Sequence, residues 1–397
     1  MTADGQTRAK TMRRYTAACW LVATVAAAAL APIVSRATLP SDFDSPPANA
    51  RLAIPVPRHW VWVNDFAFNH MSDGGAHLLD GDSGRYLGRL STGYSARIVL
   101  PKDGKVIYSP ETYFSRGTRG TRTDVVTIYD GATLNVAGEI EIPPKRSSNL
   151  PNMGNSVLTD DDRFLVIYNF TPAQSVTVVD TVRRSFVGEI ETPGCALVFP
   201  TGARSFFSLC ADGSLLTTEL DEAGKVAKQA RSAVLFDVEH DPVTEKPARL
   251  GDTWYFVSFA GRIHPVRIGK NGPEPAERWW LSTQAERAAG WRPGGLQQLA
   301  THAGLNRLYA IVHQGGVQTH KDPGKTIWVY DLQTRKRVRV LQARHPASSI
   351  QLSPDAHPLM FSASLESPNV EVYDPDTGRL LRSIADVGTS LTLFVTP

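Results

Sequence analysis

Short apolar runs, separated by clusters of Asp, Gly, Asn and Pro, occupy the chain from about residue 58 to its C-terminal end. The runs are rich in Val, Ile, Leu, Phe and Tyr, most of which favour a pleated strand. Almost none of them shows the 3.6-residue period of an amphipathic helix. The pattern therefore predicts a body built mainly of β-strands and turns.

Seven copies of one hairpin recur along this body. In each copy, a strand of Val, Ile, Leu or Tyr reaches a polar turn, crosses two to five polar or Gly residues and continues into a second strand. The turns lie at Asp80, Asp130, Asp180, Asp221, Gly269, Asp331 and Asp374. Neighbouring copies are 41 to 62 residues apart, close to the roughly 40–50 residues of one four-stranded propeller blade.

The two ends of this body predict how a ring of blades would close. Residues 388–397 supply one strand after the seventh hairpin, and residues 59–66 supply a strand that lacks an inner neighbour. We therefore predict an all-β fold, a seven-bladed β-propeller of four-stranded blades over residues 58–397, in which the C-terminal strand joins the N-terminal blade. A two-domain β-sandwich is the alternative, which seven repeated units fit poorly.

The N-terminal residues predict export. Residues 8–14 are basic, residues 15–34 carry no charge, and Ser35-Arg36-Ala37 places small residues where a signal peptidase would cleave. We expect a signal peptide at 1–37, a Pro-rich N-terminal extension at 38–57 and a periplasmic mature protein that is not attached to a membrane. The uncharged run is also long enough for a retained membrane anchor, which stays open as the alternative.

The charge of the mature body limits the classes of partner. The whole chain has a formal net charge of +3, but its first 37 residues hold five basic residues and one acidic residue, leaving 37 basic and 38 acidic residues beyond them. A body so nearly balanced gives no electrostatic reason to expect nucleic acid or an anionic membrane as partner.

Cys195 and Cys210 are the cysteines beyond the predicted signal peptide. The segment between them is predicted to form two strands around a turn at residues 201–203, which places the two thiols opposite each other. In an exported protein, this arrangement favours a disulfide bond. Two buried free thiols are the alternative.

Short catalytic motifs are missing from the sequence. It contains no phosphate loop, no G-x-S-x-G, no C-x-x-C and no H-E-x-x-H. Its ten histidines are scattered, and their spacing has no special meaning as a ligand pattern on strands. We therefore expect no metal site and no self-contained catalytic constellation in this chain.

One connection departs from the repeat near the start of the body. Residues 64–77 place Phe66, Phe68, His70 and Met71 where only polar turn residues are required. Such aromatic residues on a connection indicate either a functional site or a small satellite core.

A second stretch, residues 279–298, forms an insertion. It is predicted to contain a short helix at 282–289, followed by Trp291 and Arg292. Trp and Arg on a loop favour an interface, and a buried structural corner is the alternative.

These stretches resemble the heavy subunit of the quinoprotein amine dehydrogenases, the methylamine and aromatic amine enzymes, and the resemblance covers nearly the whole mature chain. The segments that carry it are DGDSGRYLG at 80–88, FSRGTRGTRTDVVTIYD at 114–130, CADGSL at 210–215, AERAAGWRPGGLQQLA at 285–300 and SPDAHPLMFSAS at 353–364. The motifs GWRPGG and FSRxxRGxRTD are specific, because similarity between propeller repeats would not reproduce them.

The resemblance implies a periplasmic heterotetramer of two heavy and two light subunits. In this family, a tryptophan tryptophylquinone on the light subunit oxidises a primary amine to an aldehyde and ammonia, and a cupredoxin of the amicyanin or azurin type accepts the electrons. The heavy subunit would shelter that cofactor. A periplasmic scaffold propeller without redox activity and a solitary lactonase-like or metal-dependent hydrolase are the alternatives.

The resemblance also implies roles for individual residues. A heavy-chain phenylalanine of the family lines the substrate channel, for which Phe68 is the best match and Phe66 the alternative. The candidates for the subunit interface are His70, Met71, Trp291 and Arg292. The aromatic side chains around Phe68 favour the aromatic amine branch of the family.

Overall fold

The computed structural model describes residues 51–148, 150–270 and 272–397. The expected signal peptide at 1–37 and most of the expected extension at 38–57 lie outside the described residues.

The described strands form seven sheets. The first three contain β1 (Trp60–Asp65), β2 (Gly75–Asp80), β3 (Tyr86–Ser91), β4 (Val106–Phe114), β5 (Arg122–Asp130), β6 (Val136–Ile142), β7 (Ser156–Leu158), β8 (Phe164–Asn169), β9 (Ser175–Asp180) and β10 (Ser185–Glu191). The fourth and fifth contain β11 (Cys195–Gly202), β12 (Ser205–Cys210), β13 (Leu215–Leu220), β14 (Val226–Arg231), β15 (Ala248–Leu250), β16 (Thr253–Val257), β17 (Arg262–Gly269), β18 (Gly272–Pro275) and β19 (Trp279–Trp280).

The sixth and seventh sheets complete the series. They contain β20 (Trp291–Pro293), β21 (Leu299–His302), β22 (Arg307–Gln314), β23 (Gly324–Asp331), β24 (Arg337–Ala347), β25 (Ser349–Leu352), β26 (Met360–Ser364), β27 (Ser367–Tyr373) and β28 (Leu380–Ile384). A short helix, α1 (Gln284–Ala288), lies between the fifth and sixth sheets, and β29 (Leu391–Val395) returns to the first.

The sheets are antiparallel blades of a seven-bladed β-propeller, as predicted. The C-terminal strand β29 pairs with β1 in the order β29-β1-β2-β3, with Trp62 opposite Val395 and Val63 opposite Phe394. The ring is therefore closed by backbone hydrogen bonds between β29 and β1, the two ends of the body. We call this strand pairing, together with the contact between the first and seventh blades, the seam.

The second blade has the weakest inner strand. Its regular sheet contains only β4, β5 and β6, but Val99 and Tyr108 exchange backbone hydrogen bonds of 2.8 and 3.0 Å and supply the fourth, innermost position. A single β-bridge thus takes the place of the innermost strand in this blade.

Burial decreases from the middle of a blade towards its rim. Every residue of β9 is buried, whereas every residue of the outermost strand β14 is exposed. Middle strands pack between two neighbouring blades, so both of their faces need apolar or hydrogen-bonded side chains. At the seam, Val61 and Val63 of the first blade pack with Phe361 of the seventh, and all three are fully buried.

The repeated aspartates form turns, as expected from their positions. The Asp130 side chain accepts hydrogen bonds from the backbone N–H of Ala132 at 3.1 Å and of Thr133 at 2.8 Å. Asp180 does the same with Val182 and Arg183, at 3.0 and 2.7 Å. A carboxylate in this position satisfies backbone donors that the turn leaves unpaired.

Cys195 and Cys210 form the predicted disulfide and lie directly opposite each other on β11 and β12. The turn between these strands differs from the prediction. Two register shifts add residues to β11, so that Gly202 pairs with Ser205 and the turn consists of Ala203 and Arg204 instead of residues 201–203. Bulges of this kind move a turn without changing the pairing nearer the disulfide.

Antiparallel pairing places the connections of each blade on two opposite sides of the ring. The turns between the first and second strands and between the third and fourth strands lie on one side, which we call the turn face. The connections between the second and third strands, and those that lead to the next blade, lie on the other side, which we call the loop face. Among those on the loop face are residues 66–74, 115–121, 232–247 and 315–323.

Candidate functional site

Phe66 and Phe68 lie on the loop face, in the connection that follows β1. Their ring centroids are 5.1 Å apart, but their environments differ, since Phe66 is 3% exposed and Phe68 is 40% exposed. The buried ring of Phe66 thus packs beneath the exposed ring of Phe68. This difference in exposure agrees with Phe68, and not Phe66, as the better candidate for contact with a substrate or a partner.

Asp65, the last residue of β1, holds this connection in place. Its carboxylate accepts hydrogen bonds from the backbone N–H of Ala67 at 2.9 Å, of Thr389 at 2.7 Å and of Ser390 at 2.9 Å. Burial alone would raise the pKa of Asp65, but the nearby His77 ring and these three amides outweigh burial and hold the pKa well below its ordinary value. The carboxylate is therefore ionised at neutral pH.

His70 and Met71 follow Phe68 and differ in their contacts. His70 is exposed and lies before a 3₁₀ turn at Met71–Asp73. Met71 is partly buried, and its sulfur accepts a hydrogen bond of 3.4 Å from the hydroxyl of Tyr94, while its carbonyl accepts one of 3.3 Å from the amide of Ser95. His70 is thus available to a partner, and Met71 ties the connection to the neighbouring blade.

A buried ionic cluster lies behind Tyr94 and Ser95. The guanidinium of Arg146 donates to the carbonyl oxygens of Tyr94 and Ser95, and to the hydroxyl of Thr112 at 2.8 Å. Burial lowers the pKa of Arg146 to about 10, which leaves it charged at neutral pH.

Asp124 supplies the negative charge of this cluster. Its carboxylate accepts two hydrogen bonds from the guanidinium of Arg122, at 2.8 and 2.7 Å, and one of 3.1 Å from the backbone N–H of Arg146. The sequence alone predicted no role for Asp65, Arg146 or Asp124. The motif FSRxxRGxRTD contains both Arg122 and Asp124 and was the available signal for this cluster.

Trp291 and Arg292 lie in the sixth blade, two blades away from Phe68. The predicted helix is present as α1, and it begins with a capping box formed by Thr283 and Glu286. Trp291 lies on β20, is partly buried and packs against Trp328, with ring centroids 5.4 Å apart. This packing gives Trp291 a structural role in addition to any contact with a partner.

Arg292 is only partly exposed, and its Nε donates to the carbonyl of Gly290 at 3.3 Å. The structure therefore does not bring Trp291 and Arg292 together with Phe68 and His70 in one cluster. These two stretches occupy different blades of the same ring.

Neither a metal cluster nor a membrane-spanning helix is found in the part of the chain that the structure describes. No group of three or more His, Cys, Asp or Glu side chains there is arranged to hold a metal ion. In the same residues, no helix is long and apolar enough to cross a membrane.

A family model described as methylamine dehydrogenase heavy chain matches residues 58–397. The chain belongs to this family. The methylamine dehydrogenase heavy chain of Methylorubrum extorquens is 29% identical over 381 residues, which cover 94% of this chain and 90% of that relative. The heavy chain from Paracoccus versutus is 32% identical over 324 residues, which cover 80% of this chain and 75% of that relative. The resemblance to amine dehydrogenase heavy subunits, first seen in the motifs GWRPGG and FSRxxRGxRTD, is thus confirmed.

Solved structures show the same fold at low identity. A periplasmic gluconolactonase of Pseudomonas aeruginosa aligns with a TM-score of 0.58 at 15% identity, covering 85% of this chain and 99% of that one. A dihydro-heme d1 dehydrogenase aligns with a TM-score of 0.53 at 17% identity, covering 86% of this chain and 66% of that one. At such identities the likeness shows the propeller fold alone.

Proposed function

We propose that this heavy chain is the non-catalytic subunit of a periplasmic amine dehydrogenase and assembles with a light subunit as a heterotetramer of two heavy and two light chains. Membership of the methylamine dehydrogenase heavy chain family is the observation that carries the proposal. The cofactor of the complex is a tryptophan tryptophylquinone on the light subunit, which oxidises primary amines to aldehyde and ammonia and delivers the electrons to a cupredoxin of the amicyanin or azurin type.

One tryptophan pair of the sixth blade is in keeping with a cofactor that lies on the partner. Trp291 and Trp328, the pair with ring centroids 5.4 Å apart, pack in the core of the sixth blade. The guanidinium of Arg337 covers the Trp328 ring at 4.2 Å. The Trp328 ring is 3% exposed, so a substrate arriving at the loop face would not reach it.

The loop face is the surface that we assign to the light subunit. Large apolar side chains exposed on its connections are Phe68, Leu150, Phe170, Val234, Val238, Val317 and Leu365. Apolar groups grouped on one side of a disk favour burial against a partner. His70 lies in the same connection as Phe68 and would supply a polar contact at the edge of that surface.

Phe68 would line the entrance to the cofactor, with Phe66 as its support. An apolar ring at the mouth of a channel discriminates between amines by size and contact area, by about 1–3 kcal/mol per methylene. The matched relatives are methylamine dehydrogenase heavy chains, which favours methylamine as the substrate. The aromatic rings of Phe66 and Phe68 favour an aromatic amine instead. Comparing kcat/KM for methylamine and for 2-phenylethylamine decides between these two substrates.

The division of labour is tested by expression with and without a light chain. The purified heavy chain alone is expected to show no quinone absorbance and no amine oxidation, and co-expression with a family light chain is expected to restore both. Amine-dependent reduction of a cupredoxin or dye by the isolated heavy chain would contradict the proposal.

The docking surface is tested with a matched pair of substitutions. Val317 on the loop face and Val182 on the turn face are 65% and 74% exposed, so neither is part of the core. V317R is expected to reduce co-purification of the light subunit, because it places a charge in an apolar interface, and V182R is expected to leave it unchanged. Equal behaviour of the two variants would place the interface elsewhere.

The entrance is tested with F68A in the assembled complex. We expect the variant to change the ratio of kcat/KM between bulky and small amines while the subunits still assemble. A uniform change for every amine would remove the gating role and leave the subunit assignment intact.

A further inference from the structure

The connection that carries Phe68 is joined to the strand that closes the ring. Asp65 lies at the end of β1, and Thr389 and Ser390 lie immediately before β29. The Asp65 carboxylate accepts hydrogen bonds from the backbone N–H of both residues and from that of Ala67. One side chain therefore holds two segments that are 324 residues apart in the sequence.

Ser390 continues this link to both aromatic residues. Its hydroxyl oxygen accepts a hydrogen bond of 3.2 Å from the amide of Phe68, and its carbonyl oxygen accepts one of 3.1 Å from the amide of Phe66. Asp65 in turn accepts from the amide of Ser390 at 2.9 Å. The backbone of both phenylalanines is thus held by a residue that Asp65 itself holds.

The local backbone needs this support. Ala67 lies between the two phenylalanines with a φ of +44°, in the left-handed region that residues with a Cβ rarely adopt. The hydrogen bond from Ala67 to Asp65 stabilises that conformation. Gly388 faces the same carboxylate so closely that a Cβ there would lie 2.5 Å from Asp65 Oδ2. The carboxylate is enclosed by backbone on both sides.

We propose that Asp65 is a positioning residue for the substrate entrance, which sets the direction of the Phe68 ring by coupling its backbone to the ring closure. The selectivity for amine size is then a property of the seam between the first blade and the C-terminal strand. This inference rests on the proposed role of Phe68 at the entrance. Asp65 itself touches no substrate, because it is buried beneath the connection.

The test uses the assembled complex of heavy and light chains with D65N and, separately, S390A. Asn keeps the size of Asp but loses the charge and one acceptor oxygen, and S390A removes only the side-chain acceptor of the Phe68 amide. Both variants are expected to shift the kcat/KM ratio of 2-phenylethylamine to methylamine towards the ratio of F68A, by about threefold or more. An unchanged ratio in both variants would overturn the inference.

A double variant separates action through Phe68 from a general effect on the fold. If Asp65 acts through Phe68, D65N is expected to change the ratio in the native background and not in the F68A background. An equal change in both backgrounds would show that Asp65 acts elsewhere, and the inference would fail while the entrance role of Phe68 stands. If F68A itself leaves the ratio unchanged, the entrance role fails.

A seam control measures the effect of weaker closure alone. His59 joins the first and seventh blades at the turn face, away from Phe68. H59Q is expected to lower the melting temperature without shifting the amine ratio. A shift in H59Q equal to that in D65N would assign the effect to loss of closure and overturn a specific positioning role.

Discussion

His59 of the first blade and Asp355 of the seventh form an ion pair across the seam of the ring. His59 Nε2 lies 3.0 Å from Asp355 Oδ2, and the other ring nitrogen lies 2.7 Å from Asp82 Oδ1. The pair holds the turn face of the seam, while Asp65 holds its loop face. The two contacts lie at opposite ends of β1: His59 joins the first blade to the seventh, and Asp65 joins β1 to the residues that precede β29.

The seam is expected to depend on pH through His59. Burial lowers the pKa of His59, but the hydrogen bonds and negative charges of Asp82 and Asp355 raise it more, so that the net shift is upward from 6.5. A raised pKa means that this contribution to stability is complete below the ordinary value of 6.5 and is lost as the pH rises through the folded-state pKa.

Urea unfolding of the native chain and of H59Q at several pH values measures this dependence. The difference in free energy of unfolding between the two proteins is expected to be largest below pH 6.5 and to decrease at higher pH. A difference that stays constant across this range would show that His59 contributes no charge to the seam.

The disulfide is expected to contribute to stability in the fourth blade. Cys195 and Cys210 close a loop with a sequence separation of 15 residues. The chain-entropy model gives about 3 kcal/mol for such a loop, and the paired hairpin around it reduces this value if it persists on unfolding. The double variant C195A/C210A is expected to unfold at lower denaturant concentration than the oxidised chain. Identical denaturation midpoints for the variant and the oxidised chain would show that the disulfide adds no stability beyond that of the hairpin.

Asp124 is expected to be the most sensitive member of the buried ionic cluster. D124A leaves the guanidinium of Arg122 without its paired carboxylate and removes a negative charge that acts on the buried guanidinium of Arg146. The variant is expected to reduce the free energy of unfolding by about 3–5 kcal/mol. E274A provides the exposed comparison, because Glu274 pairs with Arg267 on the surface at 3.0 Å, and such pairs contribute about 0–1 kcal/mol. Equal losses in the two variants would contradict the importance of burial.

Phe361 is expected to be a major apolar contributor to the seam. Its ring is fully buried in the cluster shared by the first and seventh blades. F361A is expected to cost about 3–5 kcal/mol of unfolding free energy through lost contacts and a cavity. Phe186, on the outer strand β10, is 40% exposed, and F186A is expected to cost far less. Chemical denaturation of both variants measures the two losses of unfolding free energy. A larger loss in F186A than in F361A would contradict the prediction.

Local patterns in the sequence were sufficient to predict the blades. Asp130 and Asp180 mark turns because a carboxylate bonds to amides two or three residues ahead, an interaction that needs no distant partner. The pairing of Cys195 with Cys210 follows from strand alternation around a nearby turn. The predicted turn was wrong by about one residue because the bulges in β11 leave no composition signal.

The sequence by itself determined the ring, its closing strand and the family. The ring follows from hairpins that repeat along the chain, and the family follows from short contiguous motifs. The sequence did not determine that Phe66 is buried and Phe68 exposed, because both are aromatic and two residues apart. Nor did it link Asp65 to Thr389, or Arg146 to Tyr94, which are 324 and 52 residues apart. Such contacts form only after the blades close into a ring, because closure brings distant backbone amides and carbonyls within hydrogen-bond distance of one buried side chain.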